Sequence, residues 1–167
     1  IAALRVAWYK VYYPVEYYSA YFTVRSDDFD AEPVVMGKSE VARRIDEIRY
    51  KGKEASAKEQ SQAETLHIVY EAMARGIEFL SVDLYKSHSY KFLIEDGKIR
   101  MPFSAVKGLG VSAAQGLEKA RQNGGEFISC DDLQSRSGIS KSVVESLRQL
   151  GALGDLPESS QMTLFGI

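Results

Sequence analysis

Lys107-Gly108-Leu109-Gly110 stands directly ahead of the run Val111 to Arg121, and this stretch decides how the chain is read. Gly108 and Gly110 bracket one apolar residue, so the backbone can turn tightly and come close to another surface. The run that follows places Ala113, Ala114, Leu117 and Ala120 at helical spacing. The free N–H groups of such a helix start point outward and attract phosphate oxygens. A loop of this kind, approached by one helix and left by another, is a helix-hairpin-helix, which grips a nucleic-acid backbone without reading bases. Taken alone, the same Gly-x-Gly pattern also fits a plain tight turn.

The pattern repeats thirty positions on. Gly138-Ile139-Ser140 overlays Gly108-Leu109-Gly110, and Val143, Val144, Leu147 and Leu150 overlay Ala113, Ala114, Leu117 and Ala120. Repetition of a supersecondary unit implies a paired architecture. Lys141 opens the helix of the second copy, where a phosphate would sit, and Lys107 holds the matching neighbourhood in the first. The expected DNA-binding residues are therefore Lys107, Gly108, Leu109, Gly110, Val111 and Ser112 in one hairpin. Gly138, Ile139, Ser140 and Lys141 complete them in the other.

Composition bounds the rest. The 167 residues suffice for one domain or two small ones, and a hydrophobic content of 45% supports a packed core. A net charge of −2 is unusual for a free-standing nucleic-acid binder. It fits a segment that grips a few phosphates through backbone N–H groups while other parts of a larger protein supply the positive field. Cys130 is the only cysteine, which excludes a disulfide framework and a thiolate metal cluster, and it reads as structural. His67 and His88 lack ligand-like spacing, so no metal site is expected. Arg5, Lys10, Pro14 and Glu16 interrupt the aromatic N-terminal region, no membrane span or signal peptide is visible, and a cytoplasmic location is expected. Ile1 to Val11 already reads as mid-helix, so the chain looks like a piece of something longer.

Along the chain, Ile1, Leu4, Trp8 and Val11 share one helical face, and Pro14 suits the first position of a new helix through Tyr17, Tyr18, Tyr21 and Phe22. This aromatic region reads as a buried helix pair, with base stacking on exposed Tyr rings as the other reading. Arg25 to Gly37 reads as a connector whose Asp27, Asp28 and Asp30 form a solvated turn. Ser39 is placed to cap a helix with Val41, Ile45 and Ile48 on its apolar face. Lys51 to Gln60 reads as a loop, and Glu59 to Gly76 as an amphipathic helix carrying Leu66, Val69, Tyr70 and Met73. Val82 and Leu84, then Tyr90, Phe92 and Ile94, suggest strands, with Asp96-Gly97 a hairpin turn. Ser129 with Asp132 forms a capping box, and Ile128 with Leu133 sits where a hydrophobic staple would.

Past Pro157 the chain is short and polar until Gln161-Met162-Thr163-Leu164-Phe165. A glutamine followed by a spaced aliphatic and aromatic pair is a peptide suited to a groove on a partner. Leu164 and Phe165 would fill a pocket and the Gln161 amide would fix the register. A tail folding back on its own domain is the other reading.

Ala7-Trp8-Tyr9-Lys10-Val11 to Tyr13-Pro14, then Ala20-Tyr21-Phe22-Thr23-Val24-Arg25 with Asp27-Asp28-Phe29-Asp30, resembles the bacterial replicative DNA polymerase III alpha subunit of the PolC type. Val82-Asp83-Leu84-Tyr85, Pro102-Phe103-Ser104 with Gly108-Leu109-Gly110, and Phe127 to Leu133 continue the resemblance in order over essentially the whole chain. It implies a mainly α C-terminal part of such a polymerase. Residues 1–78 would be the helical end of the fingers, 79–100 a small β-hairpin connector, and 101–156 a tandem helix-hairpin-helix domain on duplex DNA. Residues 157–167 would be an extended tail whose Gln161, Met162, Thr163, Leu164 and Phe165 bind the sliding clamp. Met162 stands where that family's peptide usually has Leu, and Gly166-Ile167 extends past its usual end. The remaining partners would be the rest of the polymerase and the replisome. The family's chemistry is phosphoryl transfer by palm carboxylates holding two Mg²⁺. No palm motif occurs here, so neither a catalytic residue nor a cofactor is assigned to this chain. Two other readings stand beside this one: a tandem-hairpin fragment of a DNA repair protein, and a helical protein-interaction module, which the acidic charge suits.

Overall fold

The computed structural model describes residues 1–159. The protein is mainly helical. Helix α1 (Ala2–Tyr12) meets α2 (Pro14–Val24) at Tyr13, and Pro14 occupies the first turn of α2, where its missing N–H has no partner to lose. Tyr18 and Phe22 of α2 are fully buried. The expected buried helix pair holds only for α2, because Ile1, Leu4, Trp8 and Val11 all lie exposed on α1. The face that α1 turns inward carries Lys10 instead. Lys10 pairs with Glu71, and the Arg75 guanidinium donates to the Lys10 carbonyl at 3.0 Å.

Arg25 to Gly37 is not a plain connector. A 3-10 turn (Ser26–Asp28) leads into α3 (Ala31–Met36), which Asp30 caps by accepting the Glu32 N–H at 3.2 Å. Pro33 is compatible with the first turn of α3, because N–H groups there lack intrahelical acceptors. Helix α4 (Lys38–Lys51) begins from Gly37, so Ser39 lies inside the helix and makes no capping bond. Its face of Val41, Ile45 and Ile48 is buried as the spacing required. Helix α5 (Ala57–Ala74) starts inside the segment read as a loop. Ser56 accepts the Glu59 N–H at 3.2 Å and Glu59 accepts the Ser56 N–H at 2.9 Å, a capping box that fixes the helix start.

Strands β1 (Phe79–Leu80), β2 (Leu93–Glu95) and β3 (Lys98–Arg100) form a sheet of order β1-β3-β2. Asp96 and Gly97, at φ of 51° and 75°, turn β2 into β3 where the Asp-Gly pair was expected. The ribbon is more than a hairpin, because β1 pairs with β3 in parallel, Phe79 against Ile99. Val82 and Leu84 are buried but lie in a loop. Asp83 Oδ1 there accepts the N–H groups of Tyr85 and Lys86 at 2.8 and 2.9 Å, which closes a turn and ends any strand.

Three further helices, α6 (Val111–Gly124), α7 (Cys130–Ser137) and α8 (Lys141–Gln149), complete the described chain. One apolar cluster runs from Tyr18 and Phe22 through Leu66, Ile99 and Phe103 to Leu147. Ser129 caps α7 by accepting the Asp132 N–H at 3.1 Å, while the Asp132 carboxylate accepts from Ile128 N–H. The staple is not made: Ile128 is 66% exposed, and Phe127 is buried in its place. The Arg136 guanidinium lies 4.2 Å from the Phe127 ring centroid. Cys130 is buried, with the Arg148 guanidinium 3.2 Å from its sulfur. The N–H groups of Cys130 and Asp131 donate to the Pro157 and Glu158 carbonyls at 2.8 and 3.2 Å, so the chain after α8 closes over the start of α7.

Candidate nucleic-acid interface

The two glycine turns share a left-handed glycine and a matching helix N-cap two residues on. Gly108 takes φ of 83°, and Gly138 takes φ of 73° with ψ of 12°. Leu109 and Ile139 follow, both buried, and act as apolar pegs that hold each turn to the core. Gly110 (φ −68°, ψ 163°) and Ser140 (φ −74°, ψ 158°) then take matching N-cap conformations and launch α6 and α8. The left-handed conformation is unfavourable for residues with a Cβ, which explains glycine at the first position of both turns. The pairing of Gly108-Leu109-Gly110 with Gly138-Ile139-Ser140 is thus a pairing of conformations as well as of letters.

The copies differ in two respects. α7 leads into the second turn, but the first is approached by a single 3-10 turn (Phe103–Ala105). Ala114 and Leu117 are buried like Val144 and Leu147, whereas Ala113 is exposed and its counterpart Val143 is buried. Val143 is covered because the first turn leans on it: a Cβ on Gly108 would lie 3.7 Å from Val143 Cγ2.

Capping sets how many amides each helix start leaves available. In α6 the first intrahelical bond runs from Ala114 N–H to Gly110 O at 2.9 Å, and no side chain caps the helix. The N–H groups of Val111, Ser112 and Ala113 therefore have no acceptor among the described residues. In α8 the Ser140 hydroxyl accepts the Val143 N–H at 3.4 Å, leaving the amides of Lys141 and Ser142. Lys107, Gly108, Gly110, Ser112, Gly138, Ser140 and Lys141 are exposed and Val111 is half-buried. Both turns thus present backbone to solvent above buried pegs.

Around the first turn the fold builds a cleft of about 800 Å³ that the hairpin pattern alone does not foretell. Lys107 to Val111 form one side, and Arg43 and Arg44 of α4 and Lys58 of α5 face the same space. Asp27, Asp30, Glu32 and Glu40 also line it. Arg43 holds Glu40 through contacts of 2.5 to 3.0 Å, and Arg44 holds Glu47 at 3.1 Å. Asp30 is not the solvated residue expected. Burial raises its pKa, against the Glu32 N–H bond and the charges of Arg44 and Lys107. A second cavity of about 730 Å³ touches Lys107 and Gly108 as well. Ser142, Ser146 and Gln149 of the last helix line it, so both repeats border one space. The Arg43-Arg44 pair and Lys58 were legible as charges but not as neighbours of the hairpin.

Among the described residues no group of three or more His, Cys, Asp or Glu is placed to hold a metal ion, and the clustered Asp27, Asp28 and Asp30 do not form one. No described helix is long and apolar enough to cross a membrane. Gln161, Met162, Thr163, Leu164 and Phe165 lie outside the described residues.

Paired left-handed glycines, apolar pegs and open helix starts define the class, and comparison agrees: the helix-hairpin-helix motif profile matches residues 76–162, and the chain belongs to that family. Over nearly its full length the chain is similar to proteins named DNA polymerase III PolC-type. It is 46% identical over 165 residues to that of Bacillus cereus, and 45% over 165 residues to that of Caldanaerobacter subterraneus. Identity to the Clostridium perfringens protein is 47% over 164 residues. These matches cover 98–99% of this chain and 11–12% of each relative, so the chain spans about a ninth of the length of those proteins.

Proposed function

We propose that this chain is the duplex-gripping part of a replicative DNA-directed DNA polymerase and, through its last residues, a tether to the sliding clamp. The observation that carries the reading is the matched pair of turns, whose open amides at Val111, Ser112, Lys141 and Ser142 sit above buried Leu109 and Ile139. Helix starts of this kind bind phosphate oxygens through oriented N–H groups and carry no base information. Binding is therefore indifferent to sequence and falls with salt. The similarity to PolC-type relatives supports the polymerase context, in which Mg²⁺ and the catalytic carboxylates belong to other parts of the parent protein. The net charge of −2 agrees with a grip made through backbone N–H groups rather than a basic surface. Gln161 to Phe165 would add a second attachment, raising the local concentration of the polymerase at the primer end without strengthening either contact. The parent would act in the cytoplasm beside the rest of the replisome.

The test is duplex binding by the full chain at two salt concentrations, using duplexes of unrelated sequence. Equal affinities that weaken together with salt are expected. Loss of binding on placing Val at Gly108 and Gly138 assigns the grip to the turns. Unchanged binding, or none by the parent chain, rejects it in favour of a protein-interaction module.

A further inference from the structure

We propose that the cleft between the first turn and the α4–α5 pair seats a further backbone phosphate, held between Lys58 and Lys107, so that the DNA rail continues off the hairpin across the start of α5. This inference rests on the hairpin reading above and extends it to residues outside both repeats. Lys58 and Lys107 line the same cleft from two elements far apart in sequence. Neither has an ion-pair partner among the described residues, whereas Arg43 and Arg44 are engaged by Glu40 and Glu47. The two lysines are thus the cations there left uncompensated by a paired carboxylate. Ser104 lines the cleft as well, and its hydroxyl is shielded from solvent with no hydrogen-bond partner. The α6 amides add donors on the same side.

The acidic groups in the cleft set the opposing field. Glu40 is neutralised by Arg43. Asp27, Asp30 and Glu32 remain to repel a phosphate. Removing Glu32's charge should therefore strengthen binding, while removing that of Lys58 weakens it. The ligand is a phosphodiester in a chain rather than a free anion, because the cleft opens directly beside Lys107 and Gly108 of the hairpin.

Salt titrations of duplex binding test this with the full chain and Lys58→Ala, Lys58→Arg, Glu32→Gln, Lys53→Ala and Gly108→Val. One lost phosphate contact makes the slope of log affinity against log salt shallower by about 0.9, equivalent to about eightfold per decade of salt. Lys58→Ala should show that change and Lys58→Arg should not. Glu32→Gln should bind several-fold tighter, and Lys53→Ala, whose lysine lies outside the cleft, should match the parent. A parental slope for Lys58→Ala while Gly108→Val still weakens binding overturns the second seat and leaves the hairpin grip intact. If neither variant matters, both readings fall. Equal losses in Lys53→Ala and Lys58→Ala reduce the effect to general charge and also overturn the seat. Pyrophosphate binding that depends on Lys58 while the duplex slope stays parental reassigns the cleft to free anions.

Discussion

Gly108 rests against Val143: a Cβ at the glycine would stand 3.7 Å from Cγ2 of the valine, although the two belong to different repeats. The tip of the first turn therefore packs on the helix launched by the second, and the two open helix starts are fixed relative to one another. Under the proposed grip, two weak phosphate contacts held in a set geometry would act as one attachment, because the second would be made without further ordering cost.

Gly108→Val and Gly138→Val each force a β-branched side chain to φ of 83° or 73°. Left-handed backbone costs an L residue about 1–2 kcal/mol, so urea midpoints should fall accordingly. Duplex affinity should fall on the order of tenfold, the worth of one charge-assisted hydrogen bond at ~1.5 kcal/mol.

Gly110→Ser separates stability from grip. Gly110 has ordinary negative φ and its Cβ position is open, so serine fits without strain. A hydroxyl cap and a stiffer unfolded chain should stabilise by about 0.5–1 kcal/mol. The same hydroxyl occupies an α6 amide that is otherwise open. Thermal melting should rise while duplex affinity drops; a rise in both would show that the capped amide does not meet phosphate.

Acid should loosen the attachment of α1. The Glu71 carboxyl is held below its ordinary value of 4.5, first by its bond to Lys10 and then by the Tyr18 hydroxyl, which donates to it at 2.6 Å. A depressed folded-state pKa gives stability that is complete above 4.5 and disappears as pH falls through the folded value. Glu71→Gln should therefore melt below the parent at neutral pH, and the gap should close well below pH 4.5. A gap that persists in strong acid would point to packing rather than charge.

Truncation after Ser160 should leave melting unchanged, because Pro157 and Glu158 still accept the Cys130 and Asp131 N–H groups over α7. It should nevertheless abolish co-elution with a sliding clamp, which gel filtration reads directly. Co-elution retained by the truncated chain would move the clamp contact away from Gln161 to Phe165.

Local signals in the chain located the turns correctly. Asp96-Gly97 and the two glycine hairpins are conformations that few residues adopt, so their letters specify geometry directly. Apolar spacing marked the buried faces of α4 and α8, and those of α5 and α6 apart from the exposed Tyr70 and Ala113. Where a local signal was passed over, the reading failed: Ser56 and Glu59 spell out a capping box, and Asp30 before Ala31 an N-cap.

The amino-acid order by itself determined the repeat and the glycine-led starts of α6 and α8, because each depends on contacts within a few residues. Only the tertiary structure decided that α1 turns Lys10 inward, that β1 joins the hairpin in parallel, and that Lys58 and Arg44 border the first turn. These relationships join residues twenty or more positions apart. They follow from which surfaces bury best together, and no local pattern encodes that choice.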